Sequence, residues 1–325
     1  MKLLRRCITT VFMLLIISEM SIAGQERAEE IRNLGFREYH AGNFMAAKAL
    51  FKEALECAVS SGNKDLEGVL RNDLGNVELG VDQPESAYDD YARALTLFRD
   101  MPGKHFEIAA TLRNLGSAAA LQKHFDEAQM FLREAKRTLD SDRSVSGLKD
   151  SQLLMAEILN SQGIIFVEQG KLGKAQVLFE SAIRTRAAAG VKEELGDAQT
   201  LSNLGVIYRK QHKNVEAERA FLQSIDITVR MLGPSHPDLT ITLANLAEFY
   251  TAIGRYEDAH MQLERCLAIL RGLDQPLNDR MARTLDMYAE LLQKQGRSND
   301  ARDLRADARR IRLENALTVR ARNTE

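Results

Sequence analysis

Proline and cysteine are scarce in this chain, and each scarcity limits the kind of fold. The 325 residues contain 5 prolines and 3 cysteines. Proline in a helix interior costs about 3 kcal/mol, and all five avoid the interiors of the helices that the hydrophobic pattern predicts, with Pro84 in the first turn of one. Only Cys57 and Cys266 follow the N-terminal segment, too few for the disulfide framework of a small exported domain. The sequence is therefore compatible with long helices that are stabilised without disulfides.

Charge of one sign is also lacking. Lys and Arg total 44 against 46 Asp and Glu, a net charge of -2. A nucleic-acid-binding surface needs a basic patch or stripe, so we expect no nucleic-acid partner. The six histidines form no spaced pair with a nearby acid, which is the pattern that a catalytic metal site requires. We therefore expect no metal, no cofactor and no enzymatic activity.

Long apolar runs are absent except at the N-terminus. Residues 1–23 combine a basic start, an apolar stretch of about ten residues from Ile8 to Ile17, and the small residues Ser21 and Ala23. This layout is typical of a secretory signal peptide, and the apolar stretch is short of the roughly 20 residues that a membrane span needs. We expect cleavage before Gly24 and a periplasmic or secreted product. Contact with a membrane is expected only if the segment stays uncleaved as an anchor.

One pattern repeats seven times along the rest of the chain. A small residue recurs, and an alanine follows each one after twelve residues. The small residues, called anchors below, are Gly35, Gly75, Gly116, Gly163, Gly205, Ala247 and Ala289. Regular spacing of about 40 residues indicates a stacked array of supersecondary units. The repeats fall near residues 28–62, 66–100, 107–140, 153–189, 197–232, 238–272 and 279–313, followed by a polar tail at 315–325.

Each repeat predicts two amphipathic helices. Around Gly205, apolar residues lie at Leu201, Leu204 and Tyr208, which form one stripe of a helix. Seven residues after four of the anchors stands a glycine suited to a helix C-terminus, namely Gly42, Gly170, Gly254 and Gly296. We expect helices of about 14 residues and an all-α fold. We also expect the anchors to allow close helix packing, and the aromatic residue of each second helix to fill space against the next repeat.

These residues resemble a known family. The stretches from Asn203 to Phe221 and from Asn245 to Ala259 resemble the tetratricopeptide repeat, and the period near 42 residues is similar to the kinesin-light-chain variety. The resemblance covers about residues 26–314, although the chain lacks tryptophan. It implies a right-handed superhelical solenoid of antiparallel helix pairs, with about seven repeats. It also implies that the first helices line a concave groove.

Polar residues recur on one face of the predicted first helices. They stand two or three positions before the anchors and point away from the packing stripe. We expect this face to be the groove, where asparagine can both donate to and accept from a peptide backbone and arginine can hold a carboxylate. The alternative is that the asparagines bridge adjacent first helices or face water. The candidate binding residues are Arg32, Asn33, Asn72, Arg113, Asn114, Asn160, Asn203 and Asn245.

Three functions remain open from the sequence. The first is a non-catalytic scaffold that binds an extended peptide or a protein in the groove. The second is a structural component of an envelope or secretion assembly, bound through the convex face or the ends. The third is a regulator that senses a ligand. A groove rich in Asn and Arg would favour the first function, and an exposed apolar patch would favour the second.

Overall fold

A computed structural model describes residues 23–141, 148–191, 194–273 and 278–322. Every regular element in these ranges is an α-helix, which confirms the all-α prediction. Nearly all of the predicted signal peptide lies outside the described residues. None of the described helices is both long enough and apolar enough to cross a membrane. The chain forms two compact units, divided between Gly147 and Leu148, and each is described by itself.

The first unit consists of three helix hairpins in its described part. Its helices are α1 (23–40), α2 (Phe44–Ser60), α3 (Lys64–Gly80), α4 (Pro84–Arg99), α5 (His105–Leu121) and α6 (Phe125–Ser141). Within each pair a tight turn reverses the chain, and the odd-numbered helix packs along its even-numbered partner. Consecutive first helices also touch, as α3 does with α5. Pro84 opens α4 at its first turn, where a missing N–H costs no helical hydrogen bond.

The second unit continues the same plan with four hairpins. Its helices are α7 (Lys149–Glu168), α8 (Leu172–Ala188), α9 (Leu195–Lys210), α10 (Asn214–Leu232), α11 (Leu239–Ala252), α12 (Tyr256–Arg271), α13 (Asn278–Lys294) and α14 (Ser298–Arg322). The first helices α7, α9, α11 and α13 touch in succession. Most helices exceed the expected 14 residues, and α14 continues through residues 315–322 of the segment expected to be a polar tail.

The turn between the paired helices has one backbone geometry in all seven repeats. The residue seven positions after the anchor has a positive φ each time. Gly42, Gly170, Gly254 and Gly296 were expected there from the sequence. The other three turns place a residue with a side chain in the left-handed region, at Asp82 (φ 58°), Lys123 (φ 64°) and His212 (φ 59°). Left-handed backbone costs a residue with a Cβ roughly 1–2 kcal/mol, so these three turns are strained.

The anchor glycines provide room for a ring of their own repeat. A Cβ built on Gly205 would lie 2.6 Å from the ring of Phe221, and one on Gly163 would lie 2.4 Å from the ring of Phe179. The ring therefore lies directly over the anchor of the same hairpin, a contact that was not predicted from the sequence. Phe221 also contacts the next repeat, with its ring centroid 6.2 Å from that of Phe249.

The residue opposite the anchor is an aromatic ring in four of the five repeats with a glycine anchor and in neither repeat with an alanine anchor. Sixteen positions after each glycine anchor stands Phe51, Tyr91, Leu132, Phe179 or Phe221, and each is fully buried. Where the anchor is alanine, the corresponding residues are Leu263 and Arg305. Leu263 is buried, whereas Arg305 is exposed and donates to Gln293 Oε1 at 2.7 Å. Both alanine anchors thus face a residue without a ring, although Gly116 also faces a leucine.

The two thiols have different surroundings. Cys266 is fully buried, as expected for a small core residue, and its Sγ lies 3.5 Å from Thr284 Oγ1. Burial raises the pKa of this thiol. Cys57 is half-buried on α2, and both cysteines are free.

Candidate functional site

The predicted binding residues all lie on first helices, but they differ widely in exposure. Asn33 is exposed, and Asn203 and Asn245 are half-buried. Asn114 and Asn160 retain only 5% and 4% of their surface exposed. The expectation that every asparagine lies open on the groove is therefore wrong for these two. Neighbouring first helices pack closely enough to cover side chains two and three positions before the anchor.

Arg32, Asn72 and Arg113 are also only partly exposed. Asn72 Nδ2 donates to Thr111 Oγ1 of the next first helix at 2.8 Å. Thr111 in turn donates to the carbonyl of Glu107 at 2.7 Å. Because a backbone carbonyl only accepts, the Thr111 hydroxyl hydrogen is used in this bond, and its oxygen must accept from Asn72. Asn72 must present its N–H group to Thr111 and its oxygen elsewhere.

The side-chain oxygen of Asn72 accepts a hydrogen bond from Asn114 on the next first helix. Asn114 Nδ2 lies 3.4 Å from Asn72 Oδ1, so the three side chains form one chain of hydrogen bonds across the interface of α3 and α5. The Oδ1 atom of Asn114 is buried and accepts no hydrogen bond from the described residues. Asn72 and Asn114 thus bridge adjacent first helices, which is the structural alternative that the sequence left open.

The same arrangement recurs twice in the second unit. Between α7 and α9, Asn160 Oδ1 lies 3.2 Å from Thr200 Oγ1 and 3.3 Å from Asn203 Nδ2. Between α9 and α11, Ser202 Oγ lies 3.1 Å from Thr242 Oγ1 and 3.4 Å from Asn245 Nδ2. Each cluster combines residues three positions before one anchor with residues five and two positions before the next. We call the three clusters the polar ladder.

The three threonines of the ladder, and Ser202, were not predicted from the sequence. Thr111, Thr200 and Thr242 are buried, with at most 6% of their surface exposed. A signal was available, because each stands five positions before an anchor and 39 or 40 residues after its partner. Buried hydroxyls require partners, so this spacing could have indicated contact between consecutive first helices.

The first interface, between α1 and α3, has an ion pair at the positions that the ladder occupies elsewhere. Arg32 occupies the position of Asn72, and Asp73 occupies the position of Asn114. Arg32 Nε lies 2.5 Å from Asp73 Oδ2. Burial raises the pKa of the Asp73 carboxyl, and the nearby Arg32 guanidinium opposes this rise. The guanidinium carbon also lies 4.9 Å from the centre of the Phe36 ring.

A buried arginine joins the ladder in the second unit. Arg186 at the end of α8 is 3% exposed, and its Nη1 atom lies 3.0 Å from Thr200 Oγ1 and 3.4 Å from Asp197 Oδ1. Its guanidinium lies flat against Gly196, where a Cβ would fall 2.7 Å from Nε. Glycine at 196 therefore makes room for the charged group, which the repeat pattern alone did not reveal.

The described residues show no group of three or more His, Cys, Asp or Glu side chains that could hold a metal ion. His236 is 5% exposed and accepts the backbone N–H of Asp238 at its Nδ1, 3.2 Å away. This places His236 in the packed link that precedes α11. The chemistry of the first-helix faces is that of neutral hydrogen-bonding groups with a few paired charges.

Comparison with known proteins agrees with this geometry. The family model described as tetratricopeptide repeat matches residues 65–141 and 196–272. These residues, just under half of the chain, match the tetratricopeptide repeat. These matches cover parts of both units and include all three clusters of the polar ladder apart from Asn160. The resemblance to the tetratricopeptide repeat is therefore confirmed over residues 65–141 and 196–272.

The similar proteins have low sequence identity to this chain. The chain is 25% identical over 231 residues to kinesin light chain-related protein 2 of Arabidopsis thaliana, covering 71% of this chain and 34% of that protein. It therefore spans about a third of that relative's length. A Rap protein complexed with Competence and Sporulation Factor has a TM-score of 0.68 at 15% identity, covering 89% of this chain and 76% of that one.

A second solved structure is similar in the same way. The Rap conjugation gene regulator of plasmid pLS20, in complex with the Phr* peptide, has a TM-score of 0.63 at 16% identity. The match covers 86% of this chain and 72% of that chain. At these identities the similarity shows the helical repeat fold.

Proposed function

We propose that the protein is a non-catalytic interaction scaffold that binds an extended peptide along the exposed face of its first helices. The observation that carries the proposal is the state of Asn203 and Asn245. Each donates one amide hydrogen to a side chain of the neighbouring first helix. Each keeps a carbonyl oxygen and a second N–H, and both side chains are partly exposed. They are therefore held in place and still able to pair with a peptide backbone.

The remaining predicted residues divide between contact and support. We assign direct contact with a partner to Asn33, Asn203 and Asn245, and to the exposed parts of Arg32 and Arg113. Asn72, Asn114 and Asn160 would act by fixing the spacing of the first helices, because their amide groups are committed to the ladder. The peptide named in the pLS20 regulator complex supports a partner of this class for this fold.

The exposed side chains of the second helices give less support to the alternative, a structural component bound through its convex face. Exposed apolar side chains occur on the second helices, with Val177 59% and Met261 56% exposed. Both stand two positions after the second-helix alanine, but Arg219 fills that position on the helix between them. Single exposed apolar residues are normal on a protein surface. The described residues thus give no continuous apolar stripe along which a partner would dock.

Peptide display on the immobilised chain from residue 24 onward provides the test. A selected synthetic peptide is titrated against the parent protein and against Asn203→Ala/Asn245→Ala. Loss of two neutral hydrogen bonds at about 0.5–1.5 kcal/mol each should weaken binding roughly 5- to 150-fold. The control is Asn214→Ala, which removes an exposed amide at the start of a second helix and should leave the affinity unchanged.

Two results would count against the proposal. Equal affinity of the double variant, with an unchanged circular dichroism spectrum, would place binding elsewhere. An equal loss in Asn214→Ala would mean that the effect is not specific to the first-helix face. Unfolding curves for every variant separate lost contacts from lost structure, because Asn203 and Asn245 also contribute to the ladder.

A further inference from the structure

The interface between α1 and α3 contains a pocket whose lining includes Arg32 and Asn33, both also assigned to peptide contact above. It has a volume of about 230 Å³. Gln25, Glu29 and Arg32 line one side, and Asp65, Leu66 and Val69 line the other. A volume of this size is below the range typical of drug-sized ligands, about 300–1,000 Å³.

Arg32 offers unused donors to this pocket. It pairs with Asp73 through Nε alone, and its two terminal nitrogens have no hydrogen-bond partner among the described residues. Asp73 lies behind it, with only 9% of its side chain exposed. The terminal nitrogens form the planar fork that binds a carboxylate through two parallel hydrogen bonds.

Glu29 offers the opposite charge one helical turn away. It accepts a hydrogen bond from Gln25 Nε2 at 3.1 Å and has no cation within ion-pairing distance in the described part of the chain. The other carboxylate of the pocket, Asp65, is already paired with Lys104 Nζ at 2.6 Å. Since Arg32 and Asp65 each have a partner of opposite charge, the exposed Glu29 is the carboxylate of this pocket that is left to pair with an ammonium group.

The opposite side combines the polar residues Asn63 and Asp65 with two apolar residues, Leu66 and Val69. Leu66 and Val69 stand one turn apart on α3, facing Glu29 and Arg32 across the pocket. A ligand with an ammonium, a carboxylate and an apolar side chain would satisfy all three features. We propose that this pocket binds a single free α-amino acid with an aliphatic or aromatic side chain. Peptides place their ammonium and carboxylate groups at opposite ends and do not meet this requirement.

Isothermal titration of the chain from residue 24 onward tests the proposal, with L-leucine, L-valine and L-phenylalanine as probes at millimolar concentration. At least one should bind. N-acetyl-leucine lacks the ammonium and leucinamide lacks the carboxylate, so each should bind at least tenfold more weakly than leucine. Absence of binding by all three amino acids would overturn the proposal. Equal or tighter binding of either derivative would also overturn it, because the site would then recognise one charge only.

Variants locate the site. Glu29→Gln should weaken leucine binding at least tenfold, and Arg32→Lys should do the same while keeping a positive charge beside Asp73. Glu26→Gln removes an exposed carboxylate from the same helix outside the pocket and should have no effect. Unchanged binding in Glu29→Gln would refute the assignment. The outcome is independent of peptide binding at Asn203 and Asn245, which can fail or succeed separately.

Discussion

Replacing Gly205 by alanine should destabilise the second unit by about 1–3 kcal/mol. The new Cβ would fall 2.6 Å, 2.7 Å and 2.8 Å from three ring carbons of Phe221. Real Cβ contacts of this kind essentially never lie below 3.0 Å. The ring has little room to move, since Phe221 is fully buried and packs against Phe249 on its other side.

The chain itself suggests the compensating change. In the next repeat the anchor is Ala247, and the opposing residue is Leu263 in place of a ring. Phe221→Leu alone should cost roughly 1–2 kcal/mol, less than the 3–5 kcal/mol typical of Phe→Ala. In the double variant Gly205→Ala/Phe221→Leu, the cost should be smaller than the sum of the single costs by about 1 kcal/mol.

Urea unfolding followed by far-ultraviolet circular dichroism measures this coupling from the midpoints, provided that the slopes agree. Gly173→Ala is the matched control. A Cβ at Gly173 would meet no atom within 4 Å, so alanine there should be neutral or slightly stabilising. Strictly additive costs in the double variant, or an unchanged midpoint for Gly205→Ala, would refute the packing of anchor against ring. A leucine opposite the anchor can still lie close to an added methyl group, because a Cβ built on Gly116 would fall 2.8 Å from Leu132. Phe221→Leu is therefore expected to restore only part of the stability lost in Gly205→Ala.

Three further outcomes are expected. Lys123→Gly and His212→Gly should each stabilise the fold by up to about 1 kcal/mol, because both have positive φ. The reverse change Gly170→Ala should destabilise it, and thermal unfolding compares all three. Burial raises the pKa of Asp73, so the folded state binds more protons than the unfolded state between the ordinary aspartate pKa and the raised one. The free energy of unfolding should therefore fall as pH rises through that window. Asp73→Asn should remove this contribution, which unfolding curves at several pH values would show. N-terminal sequencing of the protein purified from the producing cells should begin at Gly24, whereas recovery of the first residue in a membrane fraction would favour an uncleaved anchor.

Periodicity in the sequence was sufficient for the helices and their pairing. The twelve-residue offset between anchor and alanine and the turn glycines predicted seven hairpins, and the structure has two helices in each. This success has a physical reason: in a repeat array each helix buries one stripe against near neighbours, so local pattern determines local structure. The three turns at Asp82, Lys123 and His212 show the limit, since the shared geometry overrides the preference of the residue.

The candidate site depended on tertiary structure. The sequence placed the asparagines on one side of each first helix, and that side proved to include the seam between consecutive first helices. Burial of Asn114 and Asn160, the pairing of Arg32 with Asp73 and the insertion of Arg186 beneath Gly196 all involve residues from different helices. Helical periodicity gives the angle of a side chain around its own axis. The distance to the next axis decides whether that side chain faces a partner or another helix, and that distance is set by packing between repeats.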